Sequence, residues 1–220
     1  MDTWAVISQK GGAGKTTLAL HLAIAAMQAG KLAGVIDVDP QESAIKWARI
    51  RDEHSPAVTK AVTPELGEMR QTAEDAGADV LIIDTSPRAN AECIAIAKIA
   101  DLIIVPSRPS VLDLQSIADT IELLEQAGAK GRTVVVLNAV AARTTEGKDA
   151  AAVLNGLDVT LAPTRIGERA DYRHALTAGK GVTELDPKSQ AAKEINTLHK
   201  WLAKHASTLA DSRKKAHVLA

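Results

Sequence analysis

Short aliphatic runs alternate with amphipathic segments of helical period along most of the chain. Continuous aliphatic runs are typical of strands buried on both faces of a parallel sheet, and the segments between them are typical of helices that cover such a sheet. We therefore predict an α/β fold with a doubly wound, mostly parallel sheet flanked by helices. The predicted strands are 4–7, 32–38, 80–84, 102–105, 133–137 and 159–162, and the predicted helices are 16–29, 43–51, 64–76, 89–100, 111–127, 148–154, 168–178 and 189–209.

Prolines and the chain ends indicate where strands and the domain stop, less strongly than the hydrophobic pattern does. Pro56 and Pro64 bracket a possible short strand, and the strand at 102–105 is expected to stop at Pro106, since proline has no backbone N–H to donate. No internal repeat or linker interrupts the pattern. We therefore expect one domain over residues 1–210 and a frayed tail at residues 211–220.

The composition agrees with an aliphatic core and excludes several classes of protein. Hydrophobic residues make up 46% of the chain, yet there are only three Trp, one Tyr and no Phe. A net charge of -1 confines any nucleic-acid contact to a local patch, and a single cysteine excludes an internal disulfide or a multi-cysteine metal site. With no signal peptide and no apolar run of roughly 20 residues, we expect a cytoplasmic protein that does not enter the membrane.

The first predicted strand leads into a glycine-rich loop that departs from the usual phosphate-binding motif. The loop reads Gln9-Lys10-Gly11-Gly12-Ala13-Gly14-Lys15-Thr16-Thr17, so Gln9 replaces the opening glycine of G-x-x-x-x-G-K-[ST]. We expect the backbone N–H groups of this loop to surround a phosphate, with Lys15 on the β- and γ-phosphates, Thr16 on Mg²⁺ and Thr17 on an adjacent phosphate. The alternative is a glycine-rich turn without a ligand.

Carboxylates end two other predicted strands and support this interpretation. Asp84 follows four aliphatic residues, which is the arrangement of an acid that holds Mg²⁺ through water. Asp37 and Asp39 end the second strand, and strand alternation puts both on one side. The expected substrate is a Mg²⁺-nucleoside triphosphate, the expected reaction is attack of water on the γ-phosphate, and we favour Asp39 for positioning that water.

These motifs together resemble the ParA/MinD family of deviant Walker A ATPases. Lys10 to Thr17 match its KGGxGK[ST]T loop, Asp37 to Gln41 its switch I, and Val80 to Asp84 with Pro87 its Walker B motif and switch II. Asp186-Pro187-Lys188-Ser189 is similar to the D-P-x-S near the C-terminus of ParA proteins. The compact length resembles that of the small plasmid partition ATPases, the ParF-like ParA proteins.

The resemblance implies a role for several further residues. Lys10 is the signature lysine, which crosses to the partner's phosphates in a dimer that sandwiches two ATP molecules; a solvated surface lysine is the alternative. Asp39 has the catalytic role of switch I and Asp37 supports Mg²⁺. Asn138 contacts adenine or, alternatively, only forms a turn, while the segment from Pro163 through Thr164 to Arg165 lines the other side of the base. A proline-containing segment at Pro106 and Pro109 is also similar to one near the nucleotide.

The resemblance further implies an ATP-bound homodimer that binds double-stranded DNA non-specifically and is therefore nucleoid-associated. Such binding needs clustered cations on one face. The candidates are Arg165, Arg169 and Arg173, spaced by four residues, and Lys200 and Lys204 near the C-terminus. An ordinary solvated charged face is the alternative for each group.

The implied activity is slow ATP hydrolysis in partition of a plasmid or chromosome, stimulated by a ParB-like or ParG-like centromere-binding protein. One alternative is a related ATPase that positions a protein complex or surface machinery rather than DNA. A second is an ATP-dependent scaffold that does not hydrolyse ATP. Membrane binding is disfavoured, because Val218 and Leu219 are the only bulky apolar residues of the C-terminal segment 212–220.

Overall fold

One parallel sheet runs through the computed structural model of the chain, which describes residues 1–87 and 90–218 and side-chain burial as far as residue 215. The strands in these residues are β1 (Asp2–Val6), β2 (Ala33–Asp37), β3 (Ala57–Lys60), β4 (Val80–Asp84), β5 (Leu102–Ser107), β6 (Thr133–Leu137) and β7 (Thr160–Leu161). The helices are α1 (Lys15–Gln28), α2 (Ser43–Ile50), α3 (Leu66–Asp75), α4 (Asn90–Ile99), α5 (Val111–Gln126), α6 (Glu146–Asn155), α7 (Ala170–Thr177), α8 (Val182–Leu185) and α9 (Gln190–Val218). Short 3₁₀ turns lie at Thr63–Glu65 and Lys130–Arg132.

The strands are ordered β3-β2-β4-β1-β5-β6-β7, and every pairing between them is parallel. The predicted doubly wound α/β fold is therefore confirmed. In such a sheet the carboxyl ends of all strands meet at one edge, and ligands bind there. β1 lies centrally between β4 and β5, so the loop that follows it lies in the middle of that edge.

Two hydrophobic layers sandwich the sheet, and the strands alternate between them. In β1, Trp4 and Val6 belong to the layer formed with α1 and α9, whereas Ala5 belongs to the opposite layer, which includes residues of α4 and α5. Ile82 and Ile83 of β4 divide in the same way. Because both faces are covered, the central strands read as continuous aliphatic runs, which made them visible in the sequence.

Strand β5 differs from the prediction because it continues through Pro106 to Ser107. β1 pairs with β5 only as far as Ile104, whose carbonyl accepts the N–H of Ile7. Alternate residues of a parallel strand face opposite neighbours, so Pro106 faces the β1 side, where that chain has already left the sheet. The missing N–H of proline therefore breaks no ladder hydrogen bond, and pairing with β6 continues to Leu137.

The C-terminal region differs in helix boundaries. α7 begins at Ala170, two residues later than expected, and the four-residue α8 was not predicted. α9 continues to Val218 through the segment expected to be frayed. Arg213 holds this segment to the strand layer by hydrogen bonds to the carboxylate (3.1 Å) and carbonyl (3.0 Å) of Asp101.

Candidate functional site

The glycine-rich loop between β1 and α1 is shaped by left-handed backbone. Gly12 has φ 75° and Gly14 has φ 95°, values that glycine adopts without strain. A Cβ atom at Gly14 would lie 2.2 Å from Nδ2 of Asn138, so no larger residue fits at this position. α1 starts directly after the loop, so its free N–H groups and its dipole face the cavity that the loop encloses.

Asn138 braces the loop from the neighbouring strand end. Its Nδ2 atom donates to the carbonyl oxygen of Ala13 (2.7 Å), and its Oδ1 atom accepts from the N–H of Ala139 (2.9 Å). Ala13 itself is buried and its side chain does not line the cleft. The expected contact of Asn138 with adenine stays a prediction, and the structure adds a loop-bracing role that its position in the sequence did not indicate.

The two loop lysines point in different directions. Lys15 is buried, and its Nζ atom lies 3.4 Å from the carbonyl oxygen of Lys10; burial lowers the pKa of its ammonium group, while Asp84 and Asp39 act in the opposite sense. Lys10 does not line the cleft above the loop. Its ammonium group pairs with the Asp113 carboxylate at 2.6 Å, beside the first turn of α5.

Thr16 and Asp84 meet as the sequence predicts. The Thr16 hydroxyl donates to Oδ2 of Asp84 at 2.6 Å. Asp84 is fully buried and its Oδ1 atom has no hydrogen-bond partner among the described residues. Burial raises the pKa of this carboxyl to about 7, against the hydrogen bond from Thr16. A buried carboxylate with an unpartnered oxygen beside a phosphate loop is suited to hold a water or a cation nearby.

Asp37 and Asp39 have different surroundings. The Asp37 carboxylate accepts hydrogen bonds from three backbone N–H groups, those of Asp39 (3.0 Å), Ala44 (2.9 Å) and Ile45 (3.1 Å). It therefore caps the start of α2, and the expected role of Asp37 in supporting Mg²⁺ stays a prediction. Asp39 is half-buried and lines the cleft, with Oδ1 fixed by the N–H of Gln41 at 2.9 Å.

The cleft above the loop has walls from several strand ends. The predicted residues that line it are Gly11, Gly12, Gly14, Lys15, Thr16, Thr17, Asp39 and Asn138. Pro163 is exposed, and neither it nor Thr164 lines the cleft; the corresponding wall is formed by residues from Gly167 to Arg173. Arg108, directly after β5, also lines the cleft. It follows a strand end, which was the available signal, but sequence reasoning passed over it.

The three arginines predicted as a DNA-binding group do not share a helix. Arg165 and Arg169 precede α7, so their spacing by four residues does not place them on a helix. Arg169 binds the Glu194 carboxylate at 2.7 Å, and both Arg169 and Arg173 line the cleft. Arg169 and Arg173 are therefore residues of the cleft wall, and the DNA-binding role of the three arginines stays a prediction. The contact of Glu194 with this wall was not revealed by any sequence signal.

The lysines near the C-terminus do share a face. Lys200 and Lys204 are exposed on α9. Lys193 and Lys215 lie on the same face of this helix and are also exposed. We name these four residues the lysine stripe. Lys200 borders a hollow with Met1 and Asp2, at the amino ends of the strands, so this part of the stripe lies away from the cleft.

The chain is similar to known proteins in family, in sequence and in structure. The model of the family described as "CobQ/CobB/MinD/ParA nucleotide binding domain" matches residues 4–180. The chain is 29% identical over 205 residues to the "Maintenance of carboxysome distribution protein A" of Halothiobacillus neapolitanus, covering 89% of this chain and 94% of that protein. It is 26% identical to "Protein ParA" of Rhizobium radiobacter, covering 86% and 88%. The septum site-determining protein MinD of Pyrococcus horikoshii, complexed with Mg-ADP, has the same fold with a TM-score of 0.75 at 18% identity, covering 94% and 98%.

Proposed function

Because the chain belongs to the CobQ/CobB/MinD/ParA nucleotide-binding family, we propose that it hydrolyses ATP and, as an ATP-bound dimer on DNA, positions a cargo in the cell. The resemblance to ParA/MinD proteins and, for the family, the expectation of ATP and Mg²⁺ are confirmed. The observation that carries the proposed activity is the contact of Thr16 with Asp84 at 2.6 Å, directly behind a glycine loop that opens into a cleft.

The residues present fit a magnesium ion that is held largely by the nucleotide. Among the described residues, no group of three or more His, Cys, Asp or Glu side chains is placed to hold a metal by itself. The Thr16 hydroxyl would be the protein ligand, phosphate oxygens would supply others, and Asp84 would hold a coordinated water, in keeping with its unpartnered Oδ1 atom. When bound, the ion neutralises phosphate charge during the attack of water.

The other roles follow from the positions of the side chains. Lys15 and the N–H groups of the loop bind the phosphate chain, and Lys15 moves off the Lys10 carbonyl to do so. Asp39 lines the cleft with one carboxylate oxygen fixed and orients the attacking water. Asn138 maintains the shape of the loop. No side chain other than Asp39 is assigned to the water, so unstimulated turnover should be slow.

The proposed dimer is supported by the position of Lys10. This lysine borders a hollow outside its own cleft, together with Gln9, Asn90 and Leu112. A cation at that position is available to the nucleotide of a facing subunit, as the family resemblance implies. DNA would be bound by the lysine stripe of α9, whose cations are exposed on one face of the helix and can contact phosphates.

Two cargoes are consistent with this cycle. Partition of a plasmid or chromosome is our first candidate, with a ParB-like or ParG-like DNA-binding protein as the stimulating partner. The second candidate is a large protein assembly, and it is favoured by the similarity to a carboxysome distribution protein over 89% of the chain. Within the described residues, no helix has the length and apolarity needed to cross a membrane.

The central experiment measures binding to a short duplex of random sequence with ATP, with ADP and without nucleotide, at several salt concentrations. Wild type is compared with Lys200→Ala/Lys204→Ala and with the matched control Lys98→Ala/Lys148→Ala, which removes two exposed lysines elsewhere. We expect binding only with ATP. In Lys200→Ala/Lys204→Ala the negative slope of log K against log salt should become shallower by about two per subunit, since each phosphate contact contributes roughly 0.9 to its magnitude.

Three outcomes distinguish the elements of this proposal. Absence of ATP hydrolysis by wild type would refute the ATPase assignment. ATP-dependent dimers that bind no DNA would refute the DNA-based cycle, and equal effects of the two double variants would remove the stripe from the interface. The cargo is decided by the partner that stimulates hydrolysis: a sequence-specific DNA-binding protein supports partition, whereas a partner without DNA affinity supports the positioning of a protein assembly.

A further inference from the structure

Arg108 is a cation of the nucleotide cleft that forms no ion pair within the part of the chain that the structure describes. It lies in the same cleft as the loop glycines and Lys15, and its side chain is exposed. Among the described residues, no carboxylate lies within 4.0 Å of its guanidinium group, whereas the neighbouring Arg169 is bound to Glu194 at 2.7 Å. Arg108 is therefore free to bind an anion that enters the cleft.

The backbone at Arg108 is fixed close to the phosphate loop. The Ser107 carbonyl accepts the N–H of Asn138 at 2.7 Å, and the Ser107 hydroxyl donates to the Arg108 carbonyl at 2.8 Å. Asn138 in turn donates to Ala13 of the loop. Pro109 follows Arg108 directly and restricts the chain further. Only the side chain of Arg108 thus remains to be ordered when a ligand binds, which lowers the entropic cost of the contact.

The position of Arg108 in the sheet indicates which part of a nucleotide it meets. β5 is the direct neighbour of β1, so Arg108 follows the strand next to the one that carries the loop. Arg173, the other cleft arginine without an ion pair among the described residues, lies on α7, which packs on α1 and α2. Arg108 follows a strand end that is connected to the glycine-rich loop through Ser107 and Asn138, so the phosphate chain is the part of a nucleotide that we expect it to meet.

We propose that Arg108 binds the phosphate chain of the nucleotide, in addition to Lys15 and the loop. This inference rests on the proposed function, since it requires a nucleoside polyphosphate in the cleft. A guanidinium group presents paired donors that match phosphate oxygens, and its charge is permanent at any pH of interest. Arg108 is thus a binding residue that lies after β5, outside the glycine-rich loop.

The test compares nucleotide affinities rather than activity. Binding of ADP, AMP and adenosine in the presence of Mg²⁺ is measured by calorimetry for wild type, Arg108→Ala, Arg108→Lys and the control Arg49→Ala, which removes an exposed arginine of α2. ADP is chosen because the inference then does not depend on dimer formation. Circular dichroism and thermal melting establish that each variant is folded.

We expect Arg108→Ala to weaken ADP binding about tenfold, the effect of one charge-assisted hydrogen bond at a partly exposed site, and to leave adenosine binding unchanged. Arg108→Lys should retain part of the affinity for ADP, and Arg49→Ala should bind ADP as tightly as wild type does. Unchanged ADP affinity in Arg108→Ala would overturn the inference, as would an equal loss for adenosine, which would place the contact on the base or ribose. A wild type that binds no nucleotide would refute the proposed function as well, so the two failures are distinguishable.

Discussion

Replacing Asp113 by asparagine tests whether the signature lysine is held away from a partner until a nucleotide binds. Asp113 lies in the first turn of α5 and pairs with Lys10 at 2.6 Å. Its second oxygen accepts from the Ser110 hydroxyl, whose oxygen accepts the N–H of Asp113 at 3.2 Å. Asparagine has nearly the same shape and can keep the contact with Ser110, but it cannot form the ion pair with Lys10.

The size of the effect follows from the exposure of the two side chains. The Lys10 side chain is 38% exposed and that of Asp113 only 7%. Exposed ion pairs contribute about 0.2–1 kcal/mol, and the buried carboxylate places this pair at the upper end, at about 1 kcal/mol per subunit. In the proposed dimer both lysines leave Asp113, so the variant avoids a cost of about 2 kcal/mol. This corresponds to a dimer dissociation constant that is about 30-fold lower.

The assay is sedimentation velocity over a range of protein concentrations with a non-hydrolysable ATP analogue, and in parallel with ADP. We expect Asp113→Asn to dimerise at lower concentration than wild type with the analogue. Ser110→Ala is the matched control, because it removes the helix cap but leaves the Asp113 carboxylate for Lys10. It should melt at a lower temperature without a gain in dimerisation.

A weaker dimer in Asp113→Asn would refute this reasoning. That result would mean that Asp113 makes a favourable contact in the dimer itself, either with Lys10 or with the facing subunit. Unchanged dimerisation would show that the ion pair contributes no net free energy in the monomer. A contact between Asp113 and Lys10 that persists in the dimer would also argue against the proposed role of Lys10 at the partner's phosphates, whereas unchanged dimerisation would leave that role untouched.

Two further predictions concern stability. His21 is buried, accepts the N–H of Val182 at 3.3 Å and has its pKa lowered by burial to about 4. Between about pH 6.5 and 4 the unfolded chain binds a proton that the folded chain does not, so the free energy of unfolding should fall by about 3 kcal/mol as the pH decreases through this window. Urea titrations at pH 7 and 4.5 should show a smaller difference in the free energy of unfolding for His21→Gln than for wild type. An equal difference in the two proteins would contradict this cause. Arg51 is buried and binds Glu184 through two hydrogen bonds of 2.7 and 2.9 Å. Arg51→Met should lower the free energy of unfolding by about 3 kcal/mol, whereas exposed Arg49→Met should change it little; similar values for both in chemical denaturation would argue against this ion pair.

Much of the fold was predictable because the sheet is covered on both faces. The central strands are aliphatic without interruption, and Thr16, in the first turn of α1, lies 2.6 Å from Asp84 at the carboxyl end of β4. β3 was harder to predict, since three of its four residues are exposed at the sheet edge and leave little hydrophobic pattern. Pro106 was misjudged because its effect depends on where β1 ends, which is a property of the neighbouring strand.

The site was predictable at the loop and less so around it. Strand alternation places Asp37 and Asp39 on one side, but it does not say which carboxylate the N–H groups at the start of α2 will engage. The contact of Lys10 with Asp113 and that of Arg169 with Glu194 join residues far apart in the chain, and no local pattern reports them. Such contacts depend on packing between elements, which periodicity does not encode.

Helix α9 connects the wall of the nucleotide cleft with the lysine stripe. On its inner side, the Glu194 carboxylate accepts hydrogen bonds from the Arg169 guanidinium (2.7 Å), the Tyr172 hydroxyl (2.8 Å) and the Gly167 backbone (3.0 Å). The Glu194 carboxylate therefore connects three groups of the cleft wall to α9, and the outer side of α9 bears the lysine stripe. If ATP moves the wall, α9 either moves with it or loses these charge-assisted contacts, and its movement is opposed by its own packing in the hydrophobic layer formed with α1. The free energy by which ATP prefers the displaced wall then sets the upper limit on the change in DNA affinity that nucleotide binding can produce.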